Sequence, residues 1–582
     1  MTPVAFDGCF GWLHAPREGA GGDVAVLICP SLMEDAVVAH CSLRSLADGL
    51  AATGYWVLRF DHPGTGDSSD GDIEGNGGHW AAWQQSIDAA ATWLRTTTGA
   101  KRLVLCGLRI GATLAALATA RRDDIAGLVL FEPVLGGHSY VRQLRLDAEM
   151  LHGQRPAGDE GLAIREFRFS ARTLEQIAAV DLRRLPLPAG SKVAVFARSE
   201  TRRLDECVRA WTGAGAEVAR LDWEGLTPLV HQNIIEEDLL ADFSGLFRWL
   251  EQAVPPGVAP QGVAPVPRNA DPEPAALRPP GCIETPLTFG GDRRLFGMLC
   301  QPAQGSPGDV VIIGNVGREP HYGTARHTVA FARRLASVGI ASLRIDYAGL
   351  GDSLGPAGRE NIRSHVFNVD RGPDVRAAVD ALEQRGFRRF ALQGVCSGAY
   401  HAFHGALYEP RISELLLVNI PLYTLPDGDV RAHIEHRDLT PLLQKLVIAR
   451  SWQRLFSGQS NLRNVAQAQL ANVRAKGASK ARRLAERLGL SRERSFAQQA
   501  LATLSKRGVR TLFLFSPDEG DIAVFAREFG RTGADLDAYP GAAMRIVPGM
   551  DHSQMKDAGR DVAERWTIEF LAEAHWPRAQ ID

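Results

Sequence analysis

Residues 389–408 read RFALQGVCSGAYHAFHGALY, and the reading of this stretch decides the fold. A short apolar run passes into Gly394-Val395-Cys396-Ser397-Gly398 and then into a segment of small and apolar residues that reads as a helix. Glycines two places either side of a central residue are what a strained strand-to-helix turn requires, because side chains there would collide with neighbouring backbone. At the tip of such a turn a thiol meets the N–H groups of the helix start, which favour its thiolate. Residues 102–118, RLVLCGLRIGATLAALA, repeat the pattern with Arg109 at the tip.

Working outward, the same series of elements occurs twice. VAVLICPSL, GYWVLRFDHPGTGDSS, GLVLFEP and KVAVFARS surround the first turn; VVIIGNVG, GIASLRIDYAGLGDSL, ELLLVNIP and TLFLFSP surround the second. Such a repeat fixes the architecture before any single element does. Each apolar run is short, rich in Val, Ile, Leu and Phe, and followed by Gly, Pro or Asp and then by a helix-period segment, as buried parallel strands with crossover helices are. The expectation is α/β class: two tandem α/β-hydrolase domains, each a mostly parallel, doubly wound sheet. The proline-rich stretch 253–280 separates them as a stiff linker, which gives domains at 1–252 and 281–582. Residues 425–507 read as a helical lid inserted above the carboxyl ends of the second sheet's strands, where ligands bind in open α/β sheets. Within it, 471–495 carries eight basic residues against Glu486 and Glu493, a solvated helix face or a dock for an anionic carrier.

A net charge of -2, with 45% hydrophobic and 23% charged residues, is ordinary globular composition and gives no footprint for nucleic acid. The eight cysteines show neither a CxxC pair nor metal-ligand spacing, so no metal and no cofactor are expected. No window is apolar enough for a membrane span and the N-terminus has no signal-peptide pattern, so a reducing cytoplasm is the expected setting.

A cysteine nucleophile needs a base, and in this fold the histidine follows the last strand while the acid follows an earlier one. His552, in MRIVPGMDHSQ, answers to the first; Asp521, with Asp518 and Glu519 as alternatives, answers to the second. Oxyanion donors are expected from the backbone at Ser397 and from the loop carrying Asn315 and Val316. Arg318, His321 and Tyr322 in that loop are candidate substrate-binding residues, or loop scaffolding. In the first half, Arg109 stays protonated and cannot act as a nucleophile. It is expected either to hold an anionic group or to pair internally with an acid such as Glu132. The segments Asp61–Ser68 and Asp346–Ser353, of pattern Asp-x-x-Gly-x-Gly-Asp-Ser, read as structural turns.

On GNVGREPHYGTARHTVAFARRLASVGIASLRIDYAGLGDS and GVCSGA the second half resembles the type 1 exosortase A system-associated hydrolases. On its arginine turn GLRIGATLAA the first half is similar to type 2. Ser397 stands where the type 1 turn carries an acidic residue. The resemblance implies association with acyl carrier and acyl-activating enzymes, hence an acyl thioester substrate and an acyl carrier protein as partner. The expected function is a cysteine-dependent thioesterase, esterase or acyltransferase acting through an S-acyl enzyme. A non-catalytic tandem scaffold and a dienelactone-type hydrolase are the alternatives.

Overall fold

The computed structural model describes residues 1–16, 21–70, 78–152, 161–164, 167–199, 201–231, 238–258, 275–304, 308–323, 326–355, 362–363, 366–367, 371–425, 494–517, 520–552, 554 and 557–572. Most of the linker and of the expected lid therefore lies outside the described residues.

The chain packs as two compact units, Met1–Ser364 with Ala377–Arg389, and His365–Arg376 with Phe390–Asp582. The first unit opens with β1 (Thr2–Phe6) and β2 (Cys9–His14), an antiparallel hairpin turned at Asp7-Gly8, both of positive φ. Asp-Gly is a favoured pair for such a turn. Then come β3 (Val24–Cys29), α1 (Met33–Ala52), β4 (Trp56–Phe60), α2 (His79–Thr98), β5 (Arg102–Leu108), α3 (Ile110–Thr119), β6 (Ile125–Phe131), β7 (Lys192–Phe196) and β8 (Glu217–Leu221). The sheet order is β1-β2-β4-β3-β5-β6-β7-β8, parallel from β4 onward. Val24–Cys29 and the inner part of Arg102–Leu108 are buried throughout, which is why they read as unbroken apolar runs.

The same unit carries β9 (Cys282–Phe289), β10 (Leu295–Pro302), β11 (Asp309–Ile313), α4 (His327–Ser337) and β12 (Ala341–Asp346), in the order β9-β10-β12-β11. The second unit carries β13 (Arg389–Val395), α5 (Ser397–Tyr408), β14 (Ile412–Val418), α6 (Phe496–Lys506), β15 (Arg510–Phe515), α7 (Gly520–Phe529) and β16 (Ala542–Ile546), with β13-β14-β15-β16 parallel. Helix α6, the tail of the expected lid, starts on a capping box between Ser495 and Gln498. The chain thus has two eight-stranded, mostly parallel sheets with flanking helices, the doubled α/β-hydrolase architecture. Among the described residues no helix is long and apolar enough to cross a membrane.

The two Asp-x-x-Gly-x-Gly-Asp-Ser segments fold alike. Asp61 Oδ2 accepts from the Asp67 N–H at 3.0 Å, and Asp346 Oδ2 from the Asp352 N–H at 2.8 Å. Ser68 and Ser353 donate to the carbonyls of Asp61 and Asp346 and accept from the N–H of Phe10 and Phe296. A Cβ on Gly66 or Gly351 would strike the turn's own leading carboxylate, so both positions require glycine. Inside the first unit these twin turns exchange equivalent ion pairs. Arg59 on β4 reaches Asp352 at 2.9 Å, and Arg344, at the matching place on β12, reaches Asp67 at 3.2 Å. The aromatic rings of Phe10 and Phe296 stack between them at 6.4 Å.

Candidate active site

Cys396 sits between β13 and α5 with φ 54° and ψ -120°, a conformation L-residues adopt only under tertiary constraint. Its N–H donates to the Val418 carbonyl at 2.9 Å, which ties the turn to β14. A Cβ on Gly394 would collide with the carbonyl group of Gly398, so the motif glycine is a steric necessity. The thiol is partly exposed, whereas every other cysteine in the chain is buried. Ser397 follows as the first residue of α5, which puts its backbone N–H at the helix start.

His552 lies in the turn after β16 and keeps a third of its side chain exposed. Its Nδ1 is 3.5 Å from Oδ2 of Asp521, whose side chain in the first turn of α7 is 1% exposed. The pair is within ion-pair distance but longer than a good hydrogen bond. Asp518 and Glu519 lie outside the described residues. Sequence reasoning did not find Asn419, which follows β14 directly at φ 49°. Its Nδ2 donates to the His552 carbonyl and to Ser516 Oγ, both at 2.9 Å, and its Oδ1 accepts from the Ser516 N–H at 2.8 Å. An asparagine directly after an apolar run was the available signal, since Asn is enriched at positive φ.

The first half keeps the turn and changes its chemistry. Arg109 has φ 54° and ψ -118°, nearly the backbone geometry of Cys396, and its N–H likewise donates to the end of the next strand, at Phe131 O. The expected internal partner, Glu132, is a correction: the Arg109 guanidinium faces Asp35 at 3.5 Å, while Glu132 accepts from the Arg198 N–H and pairs with its guanidinium. The reason is geometric. Glu132 occupies the place that Asn419 takes in the second half, so its carboxylate is drawn to the end of β7. Burial raises the Asp35 carboxyl above its ordinary value, against the opposing pull of Arg109.

The loop expected to give oxyanion and substrate-binding residues is tied down from within. Asn315 Nδ2 donates to Glu319 O at 2.8 Å and to Asp346 Oδ1 at 2.7 Å, and its Oδ1 accepts from the Tyr347 N–H. The His321 ring is fully buried, with Nδ1 on Asp346 at 2.8 Å and Nε2 on Asp67 at 2.6 Å. Both ring nitrogens are thereby occupied by carboxylates. Burial alone would lower this imidazole's pKa; Asp67 and then Asp346 outweigh it and hold the value well above the ordinary one. Burial likewise opposes the Asp67 charge, and His321 with Arg344 outweighs it, holding that carboxyl at about 2. Donor atoms of His321, Asp346 and Asp352 lie within 4.8 Å of one another, but Asp352 is taken by Arg59 and His40, so the chain's own cations already fill this cluster. Arg318 and Tyr322 are both buried.

Residues 25–157 match a family model described as serine aminopeptidase, S33, so the match falls on the half whose turn carries arginine. No curated protein matches the chain. Solved structures with detectable similarity include a cold-adapted esterase from an Arctic intertidal metagenomic library, at 15% identity over 51% of this chain and 95% of that one, with TM-score 0.29. A putative dienelactone hydrolase from Klebsiella pneumoniae matches at 13% identity over 48% and 93%, with TM-score 0.28. An α/β serine hydrolase without lid from Xanthomonas campestris matches at 17% over 38% and 83%, with TM-score 0.26.

Proposed function

We propose that the second half is a cysteine-dependent acyl-transfer enzyme, with Cys396 as nucleophile, His552 as base and Asp521 as the residue that orients the imidazole. The observation that carries this reading is the buried Asp521 carboxylate 3.5 Å from His552 Nδ1, on a fold whose strained turn presents a partly exposed thiol. His552 takes the thiol proton; the sulfur attacks the acyl carbon of a thioester or ester; the leaving thiol or alcohol receives that proton and an S-acyl enzyme remains. Water or a second nucleophile, deprotonated by the same imidazole, then releases the acyl group. The N–H of Ser397 is the first oxyanion donor. From a thioester the S-acyl enzyme forms at little change in bond energy, so transfer to an acceptor competes with hydrolysis. The resemblance to exosortase-associated hydrolases makes an acyl group on a carrier protein the first substrate to try. The first half, with Arg109 at its tip, has no nucleophile of the usual kind and is read as a pseudo-enzyme.

Intact-mass measurement after incubation with a panel of acyl thioesters tests this. An acyl adduct on the native chain that is absent from Cys396→Ala is the expected result. No adduct and no turnover with any donor would leave a binding scaffold as the better reading.

A further inference from the structure

A cavity of about 80 Å³ opens in the first unit beside the first aspartate turn. That is room for several waters or a small organic molecule. Two of the polar side chains lining it, Trp12 and Ser31, are only 3% exposed, and among the described residues Trp12 Nε1 and Ser31 Oγ have no hydrogen-bond partner. An orphaned buried group of this kind costs about 1–3 kcal/mol, so native structures seldom leave one without a ligand or water.

Asp61 lines the same cavity. Its carboxylate accepts from the Asp67 N–H, and among the described residues no basic side chain forms an ion pair with it. The other charged groups on the walls are engaged. Asp67 holds His321 and Arg344; Asp352 holds Arg59 and His40; Arg326 holds the carbonyls of Gly66 and Ser68 and the Asp70 carboxylate. Burial, with the neighbouring Asp67 charge adding to it, pushes the Asp61 carboxyl up to about 6, a penalty that a cation alongside would reverse.

The second copy indicates what is missing. There Asp346, the counterpart of Asp61, is satisfied by the Asn315 amide, the His321 N–H and the His321 imidazole. The strand registers Ala25–Trp56 and Val310–Ala341 align the two copies without a gap between them, which sets Pro30 against Asn315 and Ala36 against His321. Both Pro30 and Ala36 line the cavity. Among the described residues no side chain gives Asp61 the hydrogen bonds that Asn315 and His321 give Asp346; His40, which also lines the cavity, pairs with Asp352 instead, and open space is found beside Asp61.

We propose that this cavity binds a small protonated nitrogen base bearing one hydrogen-bond acceptor. Its N–H groups sit on the Asp61 carboxylate, its acceptor takes the Trp12 Nε1 proton, and it supplies beside Asp61 the charge that His321 supplies beside Asp346. The aromatic side chains of Phe10, Trp12, Phe60 and Tyr322 line the same walls.

Titration calorimetry of the full chain with 2-methoxyethylamine, 2-aminoethanol and acetate tests the proposal. At least one of the two bases should bind saturably with a Kd of about 1 mM, and acetate should not bind. Asp61→Asn should weaken binding at least about tenfold. Ala36→Phe, at a partly exposed position, should fill the cavity and abolish binding with Asp61 still in place. Arg109→Ala should bind as the native chain does. Absence of saturable heat with both bases, acetate binding as tightly as the bases, or binding that survives Ala36→Phe would each overturn the proposal. Should Asp61→Asn fail to fold, Ala36→Phe and the acetate comparison decide it.

Discussion

Replacing Asp67 by asparagine removes the one carboxylate that faces both the His321 imidazole, at 2.6 Å, and the Arg344 guanidinium, at 3.2 Å. All three side chains are 0–2% exposed, so no water replaces the lost charge. Breaking a buried pair from one side costs about 3–5 kcal/mol. Arg344 keeps Glu284 at 2.9 Å and His321 keeps Asp346, and the amide still accepts one hydrogen bond, which places the expected loss near the low end, about 3 kcal/mol. In a unit of this size that corresponds to a fall of roughly 3–6 °C in its unfolding midpoint, read by differential scanning calorimetry. The pH dependence gives a second readout. His321 has a folded pKa above its unfolded one, so its contribution is fully present below about pH 6.5 and drains at about 1.4 kcal/mol per pH unit as the pH rises toward the folded value. Asp67 is the opposite case: its contribution is present above its unfolded pKa of 3.8 and is lost as the pH falls through about 2. Asp67→Asn should therefore lower the midpoint and flatten the alkaline slope together. A fall below about 1 °C, or an alkaline slope equal to that of the native chain, would refute the clamp.

Asp352→Asn should cost less than Asp67→Asn, about 2 kcal/mol by the same calorimetry, because its partners Arg59 and His40 are 9% and 12% exposed rather than fully buried. Asp521→Asn should lower kcat for acyl-enzyme formation by about 10²–10⁴ with little change in the unfolding midpoint, measured by stopped-flow release of a chromogenic thiol. Gly394→Ala should yield little folded protein, because the added Cβ meets backbone on both sides of the Gly398 carbonyl; far-ultraviolet circular dichroism checks this. Asn419→Ala should lower activity more than stability, since it releases the His552 carbonyl; the ratio of the kcat change to the midpoint shift measures it.

Local chemistry made much of this legible beforehand. The turn glycines around Cys396 and Arg109 predicted the strained backbone because only that geometry needs them, and the apolar runs predicted the buried parallel strands. The aspartate segments were legible as turns, since Asp61 and Asp346 accept from N–H groups six residues on and Ser68 and Ser353 donate back seven residues. The ion pairs they make with each other were not legible: Asp67 and His321 are 254 positions apart, and nothing in either segment names the other. Arg109 was given the wrong acid for the same reason, as sequence proximity to a strand end does not tell which side chain faces the guanidinium. The leading hairpin is announced only by Asp7-Gly8, because β1 is mostly half-buried and lacks the unbroken apolar run of a strand covered on both faces.

The exchange of Arg59–Asp352 for Arg344–Asp67 has the form of a two-fold dimer contact, in which a residue of one copy meets its partner's counterpart and the reverse. A contact of this type is self-complementary by construction, so duplication of one domain sequence supplies both of its sides at once. Such symmetry also shows where the copies have diverged. One departure is at the turn tip, where one copy carries Cys396 and the other Arg109. The other is beside the leading aspartate, where His321 completes Asp346 and Ala36 leaves Asp61 with a cavity. Each copy thus lacks what the other has. The half with Arg109 retains Asp61 beside a cavity, whereas the half with Cys396 has its corresponding carboxylate, Asp346, held by His321. If both proposals hold, divergence of that kind separates a reacting half from a half that holds a small ligand, and it does so without disturbing the ion pairs that the two copies share.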